Sequence, residues 1–326
     1  MAKTLFQFTE GNAPALTDYC MTGQDPSGSP AMRRLTWQSI LNLFNATNGI
    51  TPILPPGRLT LESGVPVSTA DQADKTTLYY TLMTGNKIQL YSGTAWATYT
   101  IASELSLDIS AFTASKPYDI WIYNNSGTAT LDSTVWTDGT TRATALAYQD
   151  GRLVKSGATT RLYLGTIYMD SAQKCQDTVL RRFVWNYYNR VYKNLLVIET
   201  TNSWDYTSAT WRSANNSTAN RVEVITGVCE GMLVKLKAQG VSYNASACAR
   251  FTGIGLDVTN ANNATIKGKF DQAGTFTTSS EYSSLLTCGY HFLQWTEYSD
   301  ASGTTTFKGD DGGTNMQSGM SGEVLG

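Results

Sequence analysis

A chain of 326 residues that is 41% hydrophobic and 15% charged is large enough to bury one or two cores, and too aromatic, with 18 tyrosines and 8 tryptophans, to be disordered. Its 24 basic and 26 acidic residues give a net charge of −2 without a basic run, which argues against duplex nucleic acid as a partner. One histidine and five cysteines, Cys20, Cys175, Cys229, Cys248 and Cys288, show no Cys-x-x-Cys spacing, so a zinc knuckle and a disulfide framework are not expected and the thiols read as buried and free.

The N-terminus, Met1-Ala-Lys-Thr-Leu-Phe-Gln-Phe8, has no signal-peptide core, and no stretch approaches the ~20 apolar residues of a membrane span. The chain is therefore expected to be made in a cytoplasm and not to insert into a membrane. Asn244-Ala-Ser246 and Asn263-Ala-Thr265 then mark polar loops and not glycosylation sites.

In chain order, Asp25 to Pro30 is a turn cluster, and Met32 to Leu35 reads as a short strand. Thr36 to Asn45 places Trp37, Ile40, Leu41 and Phe44 at i, i+3, i+4, i+7 behind Thr36 as N-cap, which predicts one amphipathic helix of about three turns. Such a helix is marginal alone, so its apolar stripe needs a partner. Residues 1–50 are read as a separate N-terminal segment. Pro52, Pro55 and Pro56 then break any helix and open a Pro/Thr/Ser-rich extended connector over residues 51–74.

Beyond the connector the chain reads as β. Lys87–Tyr91 alternates cleanly, Tyr118–Tyr123 ends at Asn124-Asn-Ser-Gly127, and further turns fall at Asp138-Gly139 and Asp150-Gly151. Asp170 to Arg182 is the one other stretch that suits a helix, with a long loop as the competing reading. Arg221–Ile225, Leu233–Ala238, Gly253–Asp257 and His291–Tyr298 are good strands, and Ser299–Gly303 is a hairpin loop. Turns at this spacing predict β-sandwiches, one over residues 75–192 and a jelly-roll-like one over 193–326, with a boundary near Arg190 to Leu195. Weakly charged β domains with free edges favour closed assembly, and a homotrimer is expected.

Chemistry has little to work with. His291 shares a strand face with Leu293 and Trp295, which suits a packed residue better than a general base, and no G-x-S-x-G elbow supports a triad. Glycan cleavage needs two carboxylates about 5–10 Å apart, and among Glu199, Asp205, Glu223, Glu230, Asp257 and Glu297 no pair stands out. Gly309–Gly313 carries Asp310 and Asp311 but lacks the acidic alternation of a calcium loop. No catalytic residue, metal or cofactor is assigned. The candidate ligand contacts are Trp204, Tyr206 and Trp211, rigid aromatics in the polar stretch NSWDYTSATWRSANN, with burial in the sandwich core as the equal alternative.

Several segments together resemble tailed-bacteriophage virion proteins of the fibre or spike type. They are GRLTLESGVPVSTADQADKTTLYYTLMTGNKIQLYSGTAW with its "YYT…GN-I-LY-G—W" hairpin, SLDISAFTASKPYDIWIY, WTDGTTRATALAYQDGRLVKSGATTRLYLGTI, RRFVWNYYNRV, ETTNSWDYTSATWRSANN and GYHFLQWTEYSDASGTTTFKGD. The likeness spans roughly residues 58–326. The earlier pattern Leu16-Thr-Asp-Tyr19, Gln24 to Gly28, Arg33-Arg-Leu-Thr36 and Ile40 to Phe44 is similar to the particle-anchoring segment of phage fibres.

This resemblance implies a β-rich trimer in the virion, assembled in the cytoplasm of a bacterial host. Residues 1–50 would anchor it to a tail adaptor or capsid protein through Trp37, Ile40, Leu41 and Phe44, and its C-terminal domain would face a host glycan or protein. A capsid decoration (cement) or head-fibre protein is the alternative, and a surface-glycan depolymerase the lower one.

Overall fold

The computed structural model describes residues 20–24, 30–35, 53–228 and 233–326. The predicted helix with Trp37, Ile40, Leu41 and Phe44 lies outside them. The chain divides into two compact units, 1–53 and 54–326. In the first, Pro30–Leu35 takes in the expected strand at Met32 and pairs antiparallel with Cys20–Gln24, with an irregularity between Thr22 and Gln24.

The second unit is mainly β, as expected. Its C-terminal half is built on two large sheets. An eight-stranded sheet runs Lys269–Phe270, Arg250–Leu256, Gly289–Ser299, Arg221–Thr226, Arg181–Arg182, Cys175–Asp177 and Gln72–Lys75, with Arg212–Ser213 added on Gly289–Ser299. A seven-stranded sheet runs Tyr192–Ile198, Gly319–Leu325, Leu233–Asn244, Gly274–Leu285 and Ile266–Lys267, with Thr305–Lys308 and Ser203–Tyr206 at one end. Alternation decides what lies between them. Val222, Val224, Ile254, Leu293 and Trp295 from the first sheet meet Leu195, Val197, Val234, Leu236, Met320 and Val324 from the second, all buried.

The N-terminal half adds a six-stranded sheet centred on Lys116–Asn125 and Ala158–Met169, a three-stranded sheet of Gly57–Thr60, Thr77–Leu82 and Leu105–Asp108, and the hairpin Lys87–Tyr91 with Trp96–Thr100. Strand Lys116–Asn125 is buried on both faces. Ile120 and Ile122 face a core with Leu59, Leu78, Ile88 and Leu90, while Trp121 faces the C-terminal core together with Tyr163 and Trp185. A strand buried on both sides loses its alternation, which is why Ile-Trp-Ile reads as one apolar run. The bidentate pair Arg142–Asp119, at 2.8 and 3.1 Å, is largely buried at this seam.

Three readings of the sequence are altered. The stretch 51–74 is not a free connector. Gly57–Thr60 is a fully buried strand, and Gln72–Lys75 edges the eight-stranded sheet. Arg58, fully buried, donates to the carbonyls of Pro66, Asn189 and Gly326, and the Asn186 amide satisfies both the N–H (2.7 Å) and the C=O (3.1 Å) of Leu59. The prolines stop a helix without preventing burial, because side-chain amides supply the missing ladder bonds. Asp170–Arg182 is neither helix nor long loop but a tight turn leading into strands Cys175–Asp177 and Arg181–Arg182. The expected boundary near Arg190 to Leu195 is bridged by the eight-stranded sheet, which takes strands from both sides of it.

The outer edge of Tyr192–Ile198 is covered. The Val179 carbonyl accepts the N–H of Leu196 at 3.0 Å, and the Arg182 guanidinium donates to the Asn194 carbonyl at 2.7 and 3.1 Å. This edge is closed to a further strand.

Candidate functional site

The segment Asn202–Asn216 crosses from one sheet of the sandwich to the other. Ser203–Tyr206 pairs with Thr305–Lys308, placing Trp204 opposite Phe307, and Arg212–Ser213 pairs with Gly289–Ser299, placing Arg212 opposite Glu297. Between these strands it carries all three aromatics singled out in the sequence, and the structure treats them differently.

Trp204 and Tyr206 turn inward. The Trp204 ring stacks on Phe307 at 6.2 Å and 15° and meets the edge of Trp295 at 6.4 Å, and its indole N–H donates to both oxygens of Glu297, at 2.8 and 3.1 Å. Tyr206 is buried. Its hydroxyl donates to the Thr210 carbonyl at 2.7 Å, and the Arg212 guanidinium lies 3.8 Å from the centre of its ring. These two rings hold the crossing segment in place.

Trp211 faces out. By register it stands beside Tyr298, and Tyr298 opposite Phe251, so the three half-buried rings form a row across the outer side of the eight-stranded sheet. Their centroids are 5.4 Å (Trp211 to Tyr298), 5.5 Å (Tyr298 to Phe251) and 5.9 Å (Trp211 to Phe251) apart. Gly253 makes room for the row, since a Cβ there would come within 2.7 Å of Trp211 Cζ3. Phe251 and Tyr298 were not singled out from the sequence. The available signal was parity, because both alternate with inward residues, Ile254 and Trp295, at odd separation.

Two acids approach the same turn. Glu297, almost fully buried, accepts from Trp204, from Arg212 at 2.7 Å and from the Asn215 N–H, yet burial outweighs these partners and pushes its pKa up to about 7. Glu199 is also buried, but hydrogen bonds from Asn220 Nδ2 (2.8 Å), the Thr201 N–H (2.9 Å) and Asn215 Nδ2 (3.1 Å) more than offset that burial and hold it below the usual range. Asn215 and Asn216, both at positive φ, form the turn between them. Two carboxylates with pKa values pushed apart are the arrangement of an acid and a base. Here both are spent on holding the turn, and Glu297 is sealed from solvent by Trp204 and Arg212.

His291 is buried as the sequence suggested. Nδ1 lies 2.8 Å from Asp257 Oδ2, and Nε2 lies 3.0 Å from the Thr287 carbonyl. Burial alone would lower its pKa, but the Asp257 carboxylate and the Thr287 carbonyl outweigh it and raise it. Both ring nitrogens are thus held by neighbours, as in a packed strand residue. Asp310 accepts the N–H of Gly312 at 2.9 Å, and Asp311 pairs with Lys308 at 2.9 Å. Among the described residues no cluster of His, Cys, Asp and Glu could hold a metal, and Cys175 and Cys248 are buried free thiols. No helix among the described residues is long and apolar enough to cross a membrane.

No family model and no curated protein matches this chain. Among solved structures, the insecticidal delta-endotoxin Cry8Ea1 from Bacillus thuringiensis aligns with 95% of this chain and 60% of its own length, at 10% identity and a TM-score of 0.24. A Cry1Da tryptic core variant from Bacillus thuringiensis aligns with 87% of this chain and 53% of its own, at 7% identity and a TM-score of 0.14. The Bacillus thuringiensis insecticidal crystal protein Cry7Ca1 gives 96% and 59%, at 11% identity and 0.14. The chain thus spans 60% or less of the length of these proteins. Likeness at these scores carries no argument about fold or activity.

Proposed function

We propose that the protein is a bacteriophage virion structural protein, a homotrimeric fibre or spike held to the particle through residues 1–50. Its C-terminal jelly-roll-like domain serves host attachment. It works by binding and not by catalysis, without metal or cofactor, and is assembled into the virion in the cytoplasm of the bacterial host. The observation that supports this best is the half-exposed row Trp211, Tyr298 and Phe251 on the outer side of a weakly charged β-sandwich. Rigid rings backed by a sheet offer stacking surface at little cost in conformational entropy, which suits a saccharide or protein partner on a cell surface.

The test uses the full chain bound to cells of the phage host. Trp211→Ala and Tyr298→Ala should each weaken binding by about tenfold, the range of one buried aromatic contact, without altering the far-UV circular dichroism. Undiminished binding by both variants overturns the attachment surface. Labelled chain imaged on particles should mark the tail; label on the capsid would favour the decoration or head-fibre role. Release of reducing ends from host polysaccharide would favour the depolymerase.

A further inference from the structure

We infer that the outer face of the seven-stranded sheet is covered by a second copy of this chain. The inference rests on the homo-oligomer reading above and adds the surface that holds the copies together.

Register places the outward residues in rows. The strands Tyr192–Ile198, Gly319–Leu325, Leu233–Asn244 and Gly274–Leu285 align Leu196, Ser321, Lys237 and Glu281 in one row, continued by Ile266. The next row is Asn194, Glu323, Lys235 and Ser283, and the last is Tyr192, Leu325, Leu233 and Leu285. Exposed apolar side chains gather here. Tyr192 is 66% exposed, Leu196 40%, Ile198 50%, Ile266 62% and Leu285 59%, while none of the large apolar side chains on the eight-stranded sheet stands exposed. Ser321 and Gly322 place little bulk on the strand between Tyr192–Ile198 and Leu233–Asn244. They leave a hollow of about 760 Å³ that Leu196, Lys235, Lys237, Glu281 and Glu323 help to line. Apolar surface gathered on one face marks an interaction site.

The charges identify the occupant. Lys237 and Glu281 stand 3.8 Å apart, Lys235 and Glu323 4.0 Å apart, all four about half exposed, so each keeps room for a second partner. The face carries equal numbers of both signs in alternation. A partner of one sign would bury two of these charges without a counter-charge, at a cost. The same face of another copy, displaced by about one strand spacing of ~4.8 Å, sets lysine over glutamate and glutamate over lysine. The apolar ends of the rows then close against each other. The capped edge at Leu196 and Asn194 means that copies meet face to face and not by extending the sheet.

The experiment is sedimentation of the full chain at micromolar concentration, with Leu196→Asp/Ile198→Asp and Lys237→Glu as variants. The unaltered chain should sediment as an oligomer, at no less than about twice the mass of one chain. The double variant should sediment as a monomer, and Lys237→Glu should weaken association at least about tenfold, with Glu281→Lys added to it restoring association. Far-UV circular dichroism confirms that each variant is folded. Lys237→Glu carries the test if the double variant does not fold. An oligomer whose mass survives both variants overturns the surface and leaves the oligomer reading standing. A monomeric unaltered chain overturns both.

Discussion

The two sheets of the sandwich share one core and differ on their outer sides. The eight-stranded sheet is dressed by its own chain. Trp211 lies over Gly253, and the loop after Leu256 closes on Gly255, where a Cβ would come within 2.4 Å of the Val258 carbonyl. Asn262 fixes that loop by accepting the N–H groups of Ile254 (3.2 Å) and Ala264 (3.0 Å). The seven-stranded sheet has no such cover among the described residues, and it presents Leu196, Ile198 and Leu285 to solvent. Among the described residues, the eight-stranded sheet is partly covered by its own loops, with the Trp211, Tyr298 and Phe251 row left half exposed, and the seven-stranded sheet is bare.

If this difference is real, substitutions on the two sheets should fail in different ways. The largest effect is expected from Gly322→Ala in the middle of the seven-stranded sheet, where the new Cβ would fall 1.9 Å from the Lys235 carbonyl. That atom is backbone, held in register on both sides, and cannot swing away. A loss of about 3 kcal/mol, or roughly 6–12 °C in Tm, is expected by calorimetry. A loss under about 1 kcal/mol would show that the sheet relaxes at this point.

The second effect belongs to the eight-stranded sheet and reads out in pH. Glu297 has a folded pKa raised to about 7 by burial, against 4.5 for the free group. A raised pKa means that the folded state holds the proton more tightly, so the stabilisation is complete below 4.5 and is lost as pH rises through about 7. His291, whose pKa is raised above 6.5 by Asp257 and the Thr287 carbonyl despite burial, acts in the same direction. Acids held low by hydrogen bonds, such as Glu199, change stability only below this window. Unfolding free energy should therefore fall by about 2–3 kcal/mol between about pH 5 and about pH 8. Glu297→Gln should remove most of that slope. An unchanged slope would assign the pH dependence elsewhere.

A smaller effect is expected at Gly253→Ala, where the clash is with the side chains of Trp211, Asn262 and Thr296, at 2.6–2.7 Å. Side chains can move, so the cost should be about 1–2 kcal/mol. The signature is optical, since displacing Trp211 from the sheet should shift tryptophan emission to the red. An unmoved spectrum would mean that Trp211 does not rest on Gly253.

Much of this architecture could be read in the chain, and what could not has physical causes. Lys87–Tyr91 was predicted with its observed limits because polar and apolar residues alternate along it, although Gln89 on the polar side is itself buried. The Asp150-Gly151 turn was legible because both residues take positive φ, which this dipeptide tolerates. Gly57–Thr60 was hidden because it pairs with Thr77–Leu82 on one edge only, and on the other its backbone is satisfied by the side chains of Asn186 and Asn189, more than a hundred residues away. Asp170–Arg182 misled because its strands are two and three residues long and carry no period. The inward turn of Trp204 and Tyr206 depends on Glu297 and Arg212, and local sequence cannot say which of three aromatics a distant carboxylate will hold.

The smallest expected effect falls on the charged rows of the bare face. Lys237 and Glu281 are both about half exposed and 3.8 Å apart, so water screens their attraction, and holding two long side chains in one geometry costs entropy. Within a single folded chain, Lys237→Ala should change unfolding free energy by less than about 0.5 kcal/mol. The measurement is urea denaturation of Lys237→Ala in the Leu196→Asp/Ile198→Asp background, where association is expected to be absent. A larger loss there would make the ion pair part of what holds the sheet together. The two faces would then be alike in serving their own fold, and the charges could no longer be assigned to a partner.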